Sequence, residues 1–143
     1  SIGFANNIDT PLTRAADIGI TLDTGNELIS GSTRLKAGTS QKIALNTFST
    51  ALMIRLNKVY GNLMVDLKPN NAKLQRRAVN LTMFATGCDE ENASRTLALC
   101  DYHIKTAVVA LLNHSSVEVA QSRLAQSNGN VRKVLDKNAS IEN

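Results

Sequence analysis

The hydrophobic period of this chain changes along its length, and this change constrains the fold more than any other feature. Before residue 40 the apolar residues fall in two short runs, Ser1 to Ala5 and Asp17 to Leu22, which are typical of strands. From Ala72 onward they recur at helical spacing, with no strand pattern. The sequence therefore predicts an α/β region over residues 1–68 and an all-helical region over residues 72–138.

The α/β region contains two predicted strands joined by a short helix. Thr10 and Pro11 suit the cap and the first position of a helical turn through Ala16. Strands this apolar are usually buried on both faces of a parallel sheet, which needs more strands than this region supplies. Because Ser1 also lies directly in an apolar run, we expect the domain to begin upstream of this chain.

A long helix is predicted from about Ser40 to Tyr60, with Gly61-Asn62 ending it and an apolar stretch, Leu63 to Leu67, after it. The helical spacing is carried by Leu45, Phe48, Leu52, Leu56 and Val59.

Further helices are predicted over residues 72–86, 89–100, 103–113 and 116–137, with breaks at Gly87 and at Asn128-Gly129. Residues 93–108 and 120–135 match weakly at a spacing of 27. Each copy is a predicted helix, turn and helix, as in small UBA-like three-helix domains, although chance similarity between amphipathic helices is an alternative. The polar tail from Ala139 to Asn143 is expected to be frayed.

The composition indicates a globular cytosolic protein. Of the 143 residues, 43% are hydrophobic and 20% are charged, and this sequence contains neither a signal-peptide pattern nor an apolar run of about eighteen residues that would span a membrane. The net charge of +4 permits nucleic-acid binding, but the basic residues are scattered and aromatic residues make up only 3%. A basic nucleic-acid-binding helical domain is therefore the least favoured alternative.

Cysteine and histidine spacing predicts neither a disulfide framework nor a metal site. Cys88 and Cys100 are twelve residues apart and form no CxxC pair, so we expect buried thiols without chemistry. His103 and His114 lie on helical segments with no carboxylate at ligand spacing, and we expect neither to be catalytic. We accordingly expect no metal and no cofactor.

The segment from Ser30 to Lys42, SGSTRLKAGTSQK, is the strongest candidate for binding a ligand. It places hydroxyl groups, glycines and the basic side chains of Arg34, Lys36 and Lys42 before or at the start of a long helix, where free amides favour a phosphate or a carboxylate. The alternative is a polar helix cap. Glu27 precedes this segment and has two interpretations: an acid or base reaching into a cleft, or a carboxylate that is solvated or paired with Arg or Lys.

Two segments resemble the N-acetylmuramic acid 6-phosphate etherase family closely: Gly25 to Asn46, GNELISGSTRLKAGTSQKIALN, and Lys58 to Asp66, KVYGNLMVD. A weaker likeness extends over nearly the whole chain. The resemblance implies the C-terminal part of a flavodoxin-like, three-layer sugar isomerase (SIS) domain, followed by a small UBA-like helical domain. It also implies a cytoplasmic, metal-free homodimer whose substrate is N-acetylmuramic acid 6-phosphate.

The implied reaction cleaves the D-lactyl ether of that substrate to N-acetylglucosamine 6-phosphate and D-lactate, in cell-wall recycling. In the family, the catalytic glutamates and the Ser/Thr-rich phosphate loops lie in the first half of the protein, so no catalytic residue is assigned in this chain. The residues that match the family segment bordering the substrate cleft are Glu27, Ser32, Thr33, Arg34 and Lys36. Two positions depart from the family pattern: Asn26 replaces a usual proline, and Ser40 a usual alanine.

The alternative to an enzyme fragment is a non-catalytic module that binds a sugar phosphate and regulates a partner, as in the related animal glucokinase regulatory protein. The two differ upstream of this chain, where only the enzyme carries the catalytic glutamates. In either case an incomplete parallel sheet exposes apolar faces and an unpaired edge, so this chain is expected to associate when isolated.

Overall fold

The computed structural model describes residues 1–139, which are mostly helical with two small two-stranded sheets. In chain order the elements are β1 (Ile2–Ala5), α1 (Pro11–Ala15), β2 (Ile18–Thr21), α2 (Lys36–Arg55), β3 (Val59–Tyr60), β4 (Leu63–Met64), α3 (Ala72–Thr86), α4 (Glu90–Leu99), α5 (Ile104–Leu112), α6 (Val117–Gln126) and α7 (Val131–Ala139). They form two compact units: unit 1 covers Ser1–Leu52, and unit 2 begins at Met53. The predicted polar tail beyond Ala139 lies outside the described residues.

Unit 1 is built on a pair of parallel strands, as predicted. β1 and β2 pair in the register Ile2↔Ile18, and α1 connects them with Pro11 at its first turn and the Thr10 hydroxyl accepting a hydrogen bond from the Thr13 amide. A Cβ on Gly19 would lie 2.4 Å from the Thr13 carbonyl oxygen. The close approach of α1 to β2 therefore requires glycine at this position.

A hydrogen-bonded network joins the ends of both strands to α2. The Asn6 side-chain Nδ2 donates to the Leu22 carbonyl at 3.0 Å and to the Ser40 hydroxyl at 2.7 Å, while Gln41 Nε2 donates to the Asn6 side-chain Oδ1 at 2.7 Å. The Ser40 hydroxyl thus supplies an acceptor that an alanine would lack. This network satisfies partly buried polar groups where the strands end.

The predicted bounds of the long helix, residues 40–60, were wrong at both ends. α2 begins at Lys36 and ends at Arg55, where the Lys58 amide bonds to the Met53 carbonyl and the Asn57 amide to the Ile54 carbonyl. Asn57 has a φ of 56°, so it adopts the left-handed conformation that ends a helix in a Schellman motif. Asn57 therefore stops the helix before the predicted Gly61-Asn62.

No side chain of α2 is buried among the described residues, although its apolar positions follow the predicted helical spacing. Phe48 is 43% exposed, and Leu45, Leu52 and Leu56 are also exposed. A helix with these side chains in water lacks the apolar cover that usually stabilises it.

Gly61-Asn62 forms the turn of a short antiparallel hairpin instead of a helix end. β3 and β4 pair through Tyr60↔Leu63, and Gly61 has a φ of 58°, which suits the first loop position of a two-residue turn. Val65, directly after β4, is only 1% exposed and belongs to the hydrophobic core of unit 2. The hairpin consequently groups with the helices, and the compact units divide earlier than residue 68.

The helices of unit 2 follow the predicted segments and enclose one core. Gly87, whose φ is 74°, is the C-cap that follows α3, and Asp89 is the N-cap that precedes α4, where its side chain accepts a hydrogen bond from the Asn92 amide. The buried residues include Val65, Ala78, Ala93, Leu97, Ile104, Val108, Ala120, Leu124 and Val131. Three pairs of positions 27 residues apart, Ala93 and Ala120, Leu97 and Leu124, and Ile104 and Val131, are thus buried in both copies.

The two cysteines are free thiols in different surroundings. Cys100 is buried in the core, as predicted, and burial raises the pKa of its thiol. Cys88 is half-buried, so the prediction of a buried thiol holds fully for Cys100 only. The buried Cys100 thiol is therefore poorly suited to form a reactive thiolate.

Candidate functional site

A hollow in unit 1 brings together three of the five predicted site residues. It has a volume of about 800 Å³ and is lined by Thr24, Glu27, Leu28, Arg34, Leu35, Lys36, Thr39, Ser40 and Ile43. Glu27 and Arg34 enter it from the loop before α2, and Lys36 from the first residue of that helix. The wall thus combines apolar side chains with two cationic groups and one carboxylate.

Glu27 caps the start of α2. One carboxylate oxygen accepts a hydrogen bond from the Lys36 amide and the other from the Ala37 amide, both at 2.9 Å. Hydrogen bonds from the Ala37 amide first, and then the Lys36 amide, lower the pKa of Glu27. Glu27 is thus held as an ionised carboxylate.

This cap changes the interpretation of the anion-binding segment. The amides of Lys36 and Ala37, which could otherwise bind a phosphate at the helix start, already donate to Glu27. An incoming anion would have to use the neighbouring side chains. The sequence offered a polar cap as an alternative, but it did not indicate that a glutamate nine residues before the helix would be that cap.

The remaining predicted residues lie in the turn before α2. In this turn the Ser32 amide donates to the Ile29 carbonyl, and the Thr33 carbonyl accepts from the Gly38 amide. Neither Ser32 nor Thr33 lines the hollow. Arg34 is exposed and forms no ion pair within residues 1–139, whereas the Lys36 ammonium donates to the Thr24 carbonyl at 3.2 Å. The Arg34 guanidinium is therefore available to an anion.

Replacing Glu27 by glutamine is expected to loosen the first turn of α2, because a neutral amide has one carbonyl oxygen where the carboxylate offers two acceptors. Amide hydrogen exchange at Lys36 and Ala37 should become several-fold faster. Since the pKa of Glu27 is lowered in the folded chain, its contribution is present above the ordinary pKa and is lost as pH falls through the folded value. Exchange in wild type should therefore accelerate on acidification, relative to a loop amide.

The matched control is Glu91→Gln, which removes an exposed carboxylate from the first turn of α4. This control should leave exchange at Lys36 and Ala37 unchanged. Equal protection of these two amides in wild type and Glu27→Gln would contradict the capping role.

A second charged cluster, which sequence reasoning missed, lies in unit 2. Asp66 accepts from the Lys58 ammonium at 2.8 Å and from the Lys105 ammonium at 2.9 Å. Partial burial alone would raise the pKa of Asp66, but hydrogen bonds from Lys58 and Lys105 outweigh it and lower that pKa. The available signal was the KVYGNLMVD segment, whose two ends are Lys58 and Asp66.

Three further findings concern metal-binding clusters, membrane-spanning helices and the two histidines. Within residues 1–139, no three His, Cys, Asp or Glu side chains gather as a metal site would require. None of the helices in the same part of the chain has both the length and the apolar character needed to cross a membrane. His103 and His114 are exposed, and the His103 ring nitrogen Nδ1 lies 2.9 Å from the Cys100 carbonyl oxygen.

Comparison with known proteins finds close relatives, while no family model matches the chain. An N-acetylmuramic acid 6-phosphate etherase of Deinococcus radiodurans is 50% identical over 141 residues, which is 99% of this chain and 46% of the relative. Etherases of Klebsiella aerogenes and Aliivibrio fischeri are 51% and 47% identical over 87% and 90% of this chain, and over 41% and 43% of their own lengths. The chain thus spans less than half the length of these curated relatives.

Identity at this level, across nearly every described element, makes the chain homologous to a family of bacterial enzymes. That family is the N-acetylmuramic acid 6-phosphate etherases, to which the chain is similar over the segment that it spans.

Proposed function

We propose that the protein to which this chain belongs cleaves the D-lactyl ether of N-acetylmuramic acid 6-phosphate, giving N-acetylglucosamine 6-phosphate and D-lactate. The observation that carries the proposal is the 50% identity to a named etherase over 99% of the chain. The alternative of a regulatory sugar-phosphate sensor is not favoured, because the relatives carry the name of an enzyme.

Within that protein, this chain contributes binding groups and the catalytic carboxylates come from the rest of the sequence. The free guanidinium of Arg34 and the ammonium of Lys36 border the hollow and would attract the phosphate of the substrate. Ser32 and Thr33 supply hydroxyl donors in the adjoining turn. Glu27 supports this arrangement by fixing the start of α2.

The proposed architecture is the C-terminal part of an SIS domain over residues 1–68 and a UBA-like domain over residues 72–138. The parallel pair β1–β2 and its connecting helix support the first, and the repeated helix–turn–helix units support the second. A cytoplasmic homodimer is part of the same proposal. Its support is the exposed apolar surface of α2, which protein contacts would cover.

The test is release of D-lactate from N-acetylmuramic acid 6-phosphate by this chain alone, and by this chain mixed with the N-terminal part of the Deinococcus radiodurans relative. We expect lactate only from the mixture. Activity of the chain alone would refute the placement of the catalytic carboxylates elsewhere. If the mixture releases no lactate while the intact relative does so in the same assay, the result would count against the proposal.

The binding role is tested in the active mixture with Arg34→Gln. Because Arg34 would hold the phosphate before and during the reaction, KM is expected to rise with a smaller change in kcat. Arg77→Gln removes the same charge from an exposed position of α3 and serves as the control. Equal KM and kcat values for the two variants would show that Arg34 does not bind the substrate.

A further inference from the structure

Unit 2 contains a cavity of about 340 Å³ beside the first turn of α5. Its lining includes three lysines, Lys58, Lys68 and Lys105, together with Asp66, His103 and Thr106. We propose that this cavity is a second anion site, and that its ligand is a phosphate group, either free or carried by a small phosphomonoester. The site is separate from the Glu27 hollow and does not depend on the proposed etherase activity.

The charges around this cavity leave a positive excess. Asp66 is the acidic residue in the lining, and it pairs with Lys58 and Lys105. Each ammonium group has three donor hydrogens, so both lysines retain donors after bonding to Asp66. Lys68 is exposed and forms no ion pair within the described residues. A phosphate dianion in the cavity would balance the positive charge of the three lysines that the single Asp66 carboxylate does not neutralise.

The start of α5 adds donors that have no partner in the described chain. Its cap residue, His103, forms no side-chain cap bond, and the amides of Ile104, Lys105 and Thr106 donate to no acceptor. The other helices are capped by side chains among residues 1–139: Thr10, Glu27, Asn71, Asp89, Ser116 and Asn130. The positive end of α5 therefore faces the cavity without an internal acceptor.

Thr106 provides an independent indication of a ligand. The residue is 6% exposed and lines the cavity, yet its hydroxyl makes no hydrogen bond within residues 1–139. Its oxygen is not one of the fully enclosed side-chain atoms without a partner among the described residues, so it is accessible from the cavity, where a ligand or water can bond to it. A phosphate oxygen in the cavity would supply the missing partner.

Phosphate fits this donor set better than a carboxylate does. Ammonium groups, helix amides and a hydroxyl approach the cavity from different elements, and a tetrahedral group with several acceptor oxygens can meet donors from several directions. The cavity volume also leaves room for a small organic group attached to the phosphate. The hairpin segment KVYGNLMVD contributes to the proposed site, because the residues at its two ends, Lys58 and Asp66, line the cavity.

The experiment titrates the full ¹⁵N-labelled chain with inorganic phosphate at constant ionic strength, using chloride as the reference anion. We expect saturable shifts of the Ile104, Lys105 and Thr106 amides. Lys68→Gln should weaken the affinity about five- to tenfold, since it removes one charge-assisted contact. Lys73→Gln, an equal charge change at an exposed position of α3 outside the cavity, should leave the affinity unaltered.

Thr106→Val keeps the shape of the side chain and removes the hydroxyl, so it should lower the affinity for phosphate. Thr106→Ser keeps the hydroxyl and should retain that affinity. A hexose 6-phosphate in place of phosphate distinguishes the source: tighter binding indicates a phosphomonoester, and equal binding a free phosphate. Shifts that do not saturate, or that respond equally to Lys68→Gln and Lys73→Gln, would overturn the site. Shifts at Lys36 and Ala37 report the Glu27 hollow separately.

Discussion

Replacing Leu97 by alanine is expected to lower the free energy of unfolding of unit 2 by about 2–5 kcal/mol. Leu97 lies on α4 with an exposed fraction of 0%, and it is among the largest fully buried side chains described. Truncation removes apolar contacts and leaves a cavity among helices that cannot close it completely. Because small domains are stable by only about 5–15 kcal/mol, this loss is a large fraction of the total stability.

Urea unfolding followed by helical circular dichroism measures this change. Leu99→Ala is the matched control, since Leu99 lies two residues later on the same helix and is 70% exposed. That control makes the same chemical change and should alter the free energy of unfolding by about 0.5 kcal/mol or less. Similar losses for the two variants would show that the described core of unit 2 is wrong.

Placing a methyl group at Gly19 is expected to disrupt the strand pair of unit 1. The new Cβ would lie 2.4 Å from the Thr13 carbonyl oxygen and 2.9 Å from the Thr13 Cβ, closer than atoms pack. Because the clash is with backbone, α1 must move away from β2. We expect Gly19→Ala to cost about 1–3 kcal/mol, the usual range for overpacking, or more.

Amide exchange across β1 and β2 measures this loss. Gly38→Ala serves as the control, because Gly38 lies in α2 and its added Cβ would meet only the Thr33 carbonyl oxygen, at 3.3 Å. Alanine also improves helix propensity by about 1 kcal/mol, which offsets a mild contact. Unchanged protection of the strand amides in Gly19→Ala would contradict the described packing of α1.

The elements that sequence predicted well are those whose ends carry local chemistry. Thr10 with Pro11 at α1, Gly87 after α3 and Asp89 before α4 each lie at a helix end, where the residue type itself satisfies the backbone. The burial of Ala93, Leu97 and their partners 27 residues later likewise followed from helical spacing.

The end of α2 was wrong because two patterns overlapped. Val59 continues the helical spacing of Leu52 and Leu56, yet it belongs to β3, and the stop comes from Asn57, a residue less typical of this position than glycine. The start of α2 was also wrong, because its cap comes from Glu27, nine residues before the helix. Standard capping patterns place the cap residue directly before the helix.

The candidate site was partly predictable. Residue types in SGSTRLKAGTSQK identified the cationic groups Arg34 and Lys36, and the structure brings both to one hollow with Glu27. Ser32 and Thr33 lie in the adjoining turn outside the lining, which residue type alone does not reveal. Their binding role, and that of the other three residues, stays a prediction.

The Glu27 cap has a topological consequence for the loop that it spans. Since its carboxylate bonds to the amides of Lys36 and Ala37, the intervening residues form a ring closed at its base. The entropy cost of closing such a ring grows only as the logarithm of its length, so an inserted residue would change stability little. The same insertion would move Arg34 along the ring and away from the hollow, so loop length sets the position of this guanidinium.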